Sequence, residues 1–123
     1  MLKRKLRYST PIFVENSKLP GYLSFFSPIN ITAITLGPVV LSTGKMSKET
    51  KNHETIHWQQ YIETGIIGFL ILYLIYWIIG LIKYRSGSIA YHRIPFEQEA
   101  YENQENSYYF IVRKRYNWRK RKI

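Results

Sequence analysis

The sequence predicts an α+β fold, mainly helical, formed as a single domain over residues 1–123. Three observations predict it. Ile31 to Ser42 is rich in Ile, Thr, Val and Leu, residues that suit a strand. A capped helical segment opens at Ser47, with Glu49 in its first turn. A second helix opens at Pro95 with glutamates in its first turn, and one long uncharged run separates the two.

The first 30 residues read as irregular, with one short strand at Ile12-Phe13-Val14 and punctuation at Pro11, Pro20-Gly21 and Pro28. Leu23, Phe25 and Phe26 are expected to bury against the core or touch lipid. Ile31 to Ser42 reads as one strand interrupted at Gly37-Pro38. Proline cannot donate to a ladder, which places this strand at a sheet edge. Thr43 to Met46 is a turn, and the helix from Ser47 extends to Thr64. Gly65 to Ile82 carries no charge and continues that helix as an apolar helix or hairpin, so 65–83 is a membrane-associated segment. A helix apolar all round is hard to cover with protein in a chain of 123 residues. Residues 84–95 read as a connector, with the second helix running from Pro95 to Val112. Residues 113–123 form a basic, aromatic tail.

Composition narrows the chemistry. There are no cysteines, which excludes disulfides and thiolate metal sites. Eighteen Lys and Arg face eight acids, all Glu, for a net charge of +10. That balance favours anionic partners, and eleven Tyr with three Trp suit a membrane–water interface. Lys3, Arg4, Lys5 and Arg7 resemble the start of a signal peptide, but Ser9, Thr10 and Pro11 follow where an apolar stretch would be, so no cleaved signal is expected.

The chain holds three histidines, and two of them lie in His53-Glu54-Thr55-Ile56-His57. This fits H-E-x-x-H, the zinc-peptidase signature. Histidines four apart on a helix share a face and can take adjacent corners of one zinc tetrahedron. Glu54 then stands beside the metal, where a carboxylate can act as general base toward water. Gln60 and Tyr61, at i+3 and i+4 from His57, are placed to orient its imidazole. The strand before this helix could pair with an extended peptide substrate by strand addition. A catalytic site needs a third ligand, and the residue pattern alone does not name it.

H-E-x-x-H followed downstream by a helix reading E-x-x-A resembles the gluzincin metallopeptidases. Here Glu97-Gln98-Glu99-Ala100 carries the second motif, between Phe96 and Tyr101. The likeness covers about residues 31–103. It is strongest to membrane gluzincins of the CAAX-prenyl-protease and heat-shock peptidase group, which place membrane segments between the two motifs. The chain is similar also to small bacterial proteins with H-E-x-x-H-x-x-Q and a later P-F-E-x-E-A-Y. The resemblance implies zinc on His53, His57 and Glu97, with Glu54 as base. Glu99 is the alternative third ligand, because the register of a helix start is loose by a residue or two. His92 is a further candidate, as ligand or oxyanion stabiliser. Tyr101 stands where that peptidase group has Asp, and the chain is much shorter than those enzymes.

A single membrane crossing between the motifs would forbid a shared metal. Ile82 lies 25 residues beyond His57, about 37 Å along a continuous helix, and the 15 residues to Glu97 could span about 50 Å extended. The chain can therefore double back, and a break at Gly68 or Gly80 would shorten the path. The expected arrangement is a helix or short hairpin that enters one leaflet or lies in the interface, with both motifs on one side. Basic residues flank the run on both sides with no clear asymmetry, which agrees with both ends lying on one face. That face is expected to be the cytoplasmic side of a bacterial inner membrane, against anionic headgroups.

The expected function is a membrane-associated zinc metallopeptidase acting on a peptide or protein substrate. One alternative is a non-catalytic membrane protein or assembly subunit, completed by a membrane-protein partner, with a structural or vestigial metal site. Another is a basic nucleic-acid-associated protein using Arg113–Lys122 with Tyr116 and Trp118. A lipid-facing tail has the same composition, so nucleic acid is the least expected partner.

Overall fold

The structure, a computed structural model, describes residues 9–24 and 31–123. It is mainly helical with a small sheet, as the sequence predicts. Strands β1 (Ile12–Val14), β2 (Ala33–Leu36) and β3 (Val39–Ser42) lie in the order β1-β3-β2. β3 pairs parallel to β1, with Phe13 opposite Val40, and antiparallel to β2, with Thr35 opposite Val40. The single strand expected over 31–42 is thus a hairpin. Gly37 and Pro38 form its turn, where proline costs no ladder bond. Only the first half, β2, is an edge; the second half is the central strand.

Residues 19–24, expected to be irregular, form the short helix α1 (Leu19–Ser24), in which Leu23 is half-buried. Phe25, Phe26 and Pro28 lie outside the described residues. Helix α2 (Lys48–Thr64) starts as predicted, with the Ser47 hydroxyl accepting from the Thr50 N–H. It does not run on into the apolar segment. Gly65 takes φ 72° and ψ 152°, a backbone region open almost only to glycine, and redirects the chain. A Cβ there would meet no atom within 4 Å, so the demand is one of backbone conformation, about 1–3 kcal/mol for another residue.

Helix α3 (Ile66–Tyr84) then runs unbroken for 19 residues, about 28 Å, through Gly68 and Gly80. Its two faces differ in kind. Phe69, Leu72, Tyr73, Tyr76 and Trp77 pack on the protein core. Ile67, Leu70, Ile71, Leu74, Ile75, Ile78, Ile79 and Ile82 are exposed. By length and composition α3 could cross a membrane, and little of it is buried in protein.

The return path is helical where a connector was expected. Helix α4 (Gly87–Arg93) is capped by Ser86 and lies against the end of α3. A Cβ built on Gly80 would stand 3.0 Å from Ala90 Cα, so the close approach of the two helices leaves little room for a side chain at that position. Helix α5 (Pro95–Asn103) begins at Pro95 as predicted but ends after nine residues. A turn intervenes before helix α6 (Tyr109–Val112). The expected tail is folded back: Arg113 and Trp118 are buried, and Asn117–Lys120 form a 3-10 turn.

An aromatic column joins these pieces. Tyr61 of α2 stacks on Phe69 of α3 at 3.9 Å, Phe69 on Phe96 of α5 at 4.5 Å, and Trp118 meets Phe96 edge-on at 4.8 Å. Each such pair contributes about 0.5–1.5 kcal/mol beyond the area it buries. Fully buried Phe96 stands at the junction, and truncating it to Ala would cost about 3–5 kcal/mol. Its neighbour in sequence is Glu97, so the column also fixes where that carboxylate points.

Candidate metal centre

His53 and His57 lie one turn apart on α2, and their Nε2 atoms are 3.1 Å apart. Glu97, from the first turn of α5, places Oε1 at 3.0 Å from His53 Nε2 and 3.1 Å from His57 Nε2. All three residues are buried, and among the described residues they form the one group arranged to hold a metal ion. The chain thus returns from the far end of α3 to bring the two motifs together.

Each member is oriented by a neighbour. His53 Nδ1 donates to Gln104 Oε1 at 2.9 Å, and His57 Nδ1 donates to Gln60 Oε1 at 2.8 Å. An amide oxygen can only accept, so these bonds put a proton on each Nδ1 and, in the neutral rings, leave the Nε2 lone pairs facing inward. The Tyr73 hydroxyl donates to the other oxygen of Glu97 at 2.7 Å. Two imidazole lone pairs and a carboxylate oxygen converge away from water, an arrangement that only a cation or a proton can satisfy.

The electrostatics agree. Burial works against an imidazolium at His57, but the Glu97 carboxylate outweighs it, by charge and by hydrogen bond, with smaller help from Glu54 and Gln60. The result is a pKa raised from 6.5 to about 9. Burial likewise opposes ionisation of Glu97, yet His57 and His53 hold its carboxyl well below the usual range. The buried carboxylate thus favours positive charge at the imidazoles.

The donor set fits zinc. Tetrahedral ligands at about 2.0–2.1 Å from zinc are about 3.3 Å from one another. The three donors here stand at 3.0–3.1 Å, and two imidazoles with one carboxylate are a familiar catalytic zinc set. Imidazoles backed by amides and a carboxylate backed by a phenol are the outer partners such a site needs.

Glu54 is buried beside this group and is anchored elsewhere. The Thr35 hydroxyl of β2 donates to its Oε2 at 2.6 Å, and the Tyr61 hydroxyl donates to the Thr35 carbonyl at 2.9 Å. Tyr61 therefore steadies the strand and not the imidazole. A cleft of about 600 Å³ opens onto the group. The β2 edge forms one wall and the start of α3 the other, with His53, Glu54, His57 and Glu97 between them.

Glu99 takes a different part. Its two oxygens accept from Gln60 Nε2, Tyr109 Oη and, twice, the Arg113 guanidinium, at 2.6–3.0 Å. It faces a buried ion network, so among the described residues the metal group holds Glu97 and not its alternative. Tyr101, half-exposed, sets its ring edge-on to His53 at 4.5 Å and shares a hydroxyl contact of 3.0 Å with Tyr91. His92 is exposed, with its ring against those of Tyr91 and Tyr101, away from the metal group.

Four residues that matter here are not tied to this site by the sequence: Thr35, Tyr73, Gln104 and Arg113. Tyr73 had a signal, since the aromatics of the apolar run recur at 69, 73, 76 and 77, one face of a helix. Gln104 and Arg113 had none. No family model, curated protein or solved structure matches the chain, so the chemistry rests on its own residues.

Proposed function

We propose that the chain is a membrane-associated zinc-dependent peptidase, with His53, His57 and Glu97 holding the metal. The observation that carries this reading is the convergence of two Nε2 atoms and Glu97 Oε1 within 3.1 Å, each with its own outer hydrogen-bond partner. Zinc, when bound, supplies Lewis acidity that polarises a carbonyl and makes water more acidic. Glu54 is the general base: it accepts a proton from the attacking water and passes it to the leaving amine. Thr35 keeps that carboxylate in place during both transfers. An extended peptide fits along the outer edge of β2, which forms one wall of the cleft.

The exposed aliphatic face of α3 supports lipid contact, with Lys83 and Arg85 at its end to reach headgroups. The opposite face is committed to protein through Tyr73 and the aromatic column. In this reading α3 meets lipid on one side, and both motifs stand on the same side of the bilayer.

The full-length protein in detergent, loaded with zinc, is expected to hydrolyse an unfolded polypeptide such as casein. A chelator should stop the reaction. Glu54→Gln should retain zinc and lose at least about 10²-fold in rate. Hydrolysis that survives Glu54→Gln would refute the assignment of the base. Zinc without any hydrolysis would favour the structural-site alternative.

A further inference from the structure

The amide of Gln60 is a switch point with two orientations of nearly equal shape. In the observed one, Oε1 accepts from His57 Nδ1, so the neutral ring has its lone pair on Nε2, toward the metal position. Turned over, the amide would offer N–H groups to Nδ1. The ring proton would then have to sit on Nε2, where it blocks a cation. What holds the observed orientation lies on the far side of the amide: its Nε2 donates to the Phe96 carbonyl and to Glu99 Oε1, both at 3.0 Å.

Glu99 can hold that place because its buried charge is matched. Arg113 donates to it through Nε at 2.6 Å and Nη2 at 3.0 Å, and grips Glu63 of α2 with Nη1 and Nη2 at 2.6 and 2.8 Å. Side chains of all three are at most 1% exposed. Arg113 is in turn seated by the chain that follows it, since the Tyr116 N–H and the Trp118 indole also donate to Glu63.

From this relay we infer that Arg113 and Glu99 are positioning residues: acting through Gln60, they fix the orientation and proton placement of His57, and the C-terminal segment is thereby part of the metal site. The inference rests on the zinc reading above and adds a role to residues outside both motifs. It also explains why the second motif carries two glutamates. Glu97 binds, and Glu99 aligns the other helix's ligand.

Removing Arg113 would strand two buried carboxylates and threaten the fold, so milder variants serve as the test. Zinc affinity of full-length protein in detergent is measured by competition with a chromophoric chelator. The comparison takes wild type, Gln60→Leu, Glu99→Gln and the double variant, with Tyr109→Phe as a gentler way to weaken the hold on Glu99. Gln60→Leu and Glu99→Gln should each weaken zinc about tenfold or more. The double variant should be no weaker than Gln60→Leu alone, because Glu99 acts only through Gln60. Tyr109→Phe should show a smaller loss that also vanishes in the Gln60→Leu background. Wild-type affinity in Glu99→Gln, or losses that multiply in the double variant, would overturn the inference.

A wild type that binds no zinc would instead sink the metal reading, and a second measurement then decides this one. In metal-free protein labelled with 15N-histidine, Glu99→Gln should speed exchange of the His57 Nδ1 proton. The His53 Nδ1 proton, bonded to Gln104, should be unaffected. Equal effects on both, or on neither, would mean that the network is merely structural.

Discussion

Tyr73 of α3 donates its hydroxyl to Glu97 Oε2 at 2.7 Å, tying the apolar helix directly to the carboxylate that faces His53 and His57. The bond leaves Oε1 facing the two imidazoles and stops the carboxylate from rotating. Tyr73→Phe removes only this donor and keeps the ring in its place against Phe69. Zinc affinity should fall by about tenfold while the melting temperature of the metal-free protein changes little. Unchanged affinity in a chelator competition would show that Glu97 does not depend on α3.

Thr35 predicts a different failure. Its hydroxyl holds Glu54, which is not a ligand, so Thr35→Val should leave zinc content intact. A hydrogen bond to a charged group is worth about 1.5–3 kcal/mol, equivalent to a loss of roughly 10- to 100-fold in rate. The loss should appear in kcat more than in KM, because the base works in the chemical step. Loss of zinc in this variant would mean that β2 supports the metal group itself.

The raised His57 pKa gives a pH signature. In metal-free protein the His57–Glu97 pairing stabilises the fold fully below the ordinary imidazole value of 6.5. That contribution is lost as pH rises through about 9. Glu97, held below its ordinary range, contributes above its usual 4.5 and loses its contribution on acidification. Zinc must displace the His57 proton. Binding at pH 7.5 should therefore release about one proton per chain, and affinity should climb with pH and level off above about 9. Calorimetry in buffers of different ionisation enthalpy reads the proton directly. Zinc uptake without proton release would contradict the proposed contact between His57 and the metal.

How much of this was legible beforehand depends on the range of the interactions. The Ser47 cap, the spacing of His53 and His57 and the opening of α5 at Pro95 are local, and sequence reads local features well. Glu97 came from a motif likeness. Its approach to within 3.0 Å of His53 could not be read from spacing, since it depends on Gly65 turning the chain and Gly80 admitting α4 against α3. The C-terminal segment was misread for a plain reason. Arg113 and Trp118 look like a solvated basic tail until Glu63, 50 and 55 residues away, and Glu99, 14 residues from Arg113, are seen to hold them. Charge composition reports what a segment carries, not which buried carboxylates await it.

The exposed aliphatic face of α3 predicts how the protein is retained by membranes. Apolar insertion is not screened by salt, whereas attachment through the basic residues is. Full-length protein should stay with the membrane fraction in 1 M salt and leave it only with detergent. Replacing Ile75 and Ile79, both exposed, with Lys should weaken retention while leaving zinc binding intact, because neither packs on the metal group. Release of wild type by salt alone would mean that lipid does not cover this face.

The central claim is that two motifs 40 residues apart hold one metal between them. Zinc content of purified full-length protein, wild type against Glu97→Ala, tests it most directly. The account predicts about one zinc per chain in wild type and almost none in Glu97→Ala. A folded wild type free of zinc after growth and purification with zinc supplied, or a Glu97→Ala variant that keeps its full zinc, would contradict it.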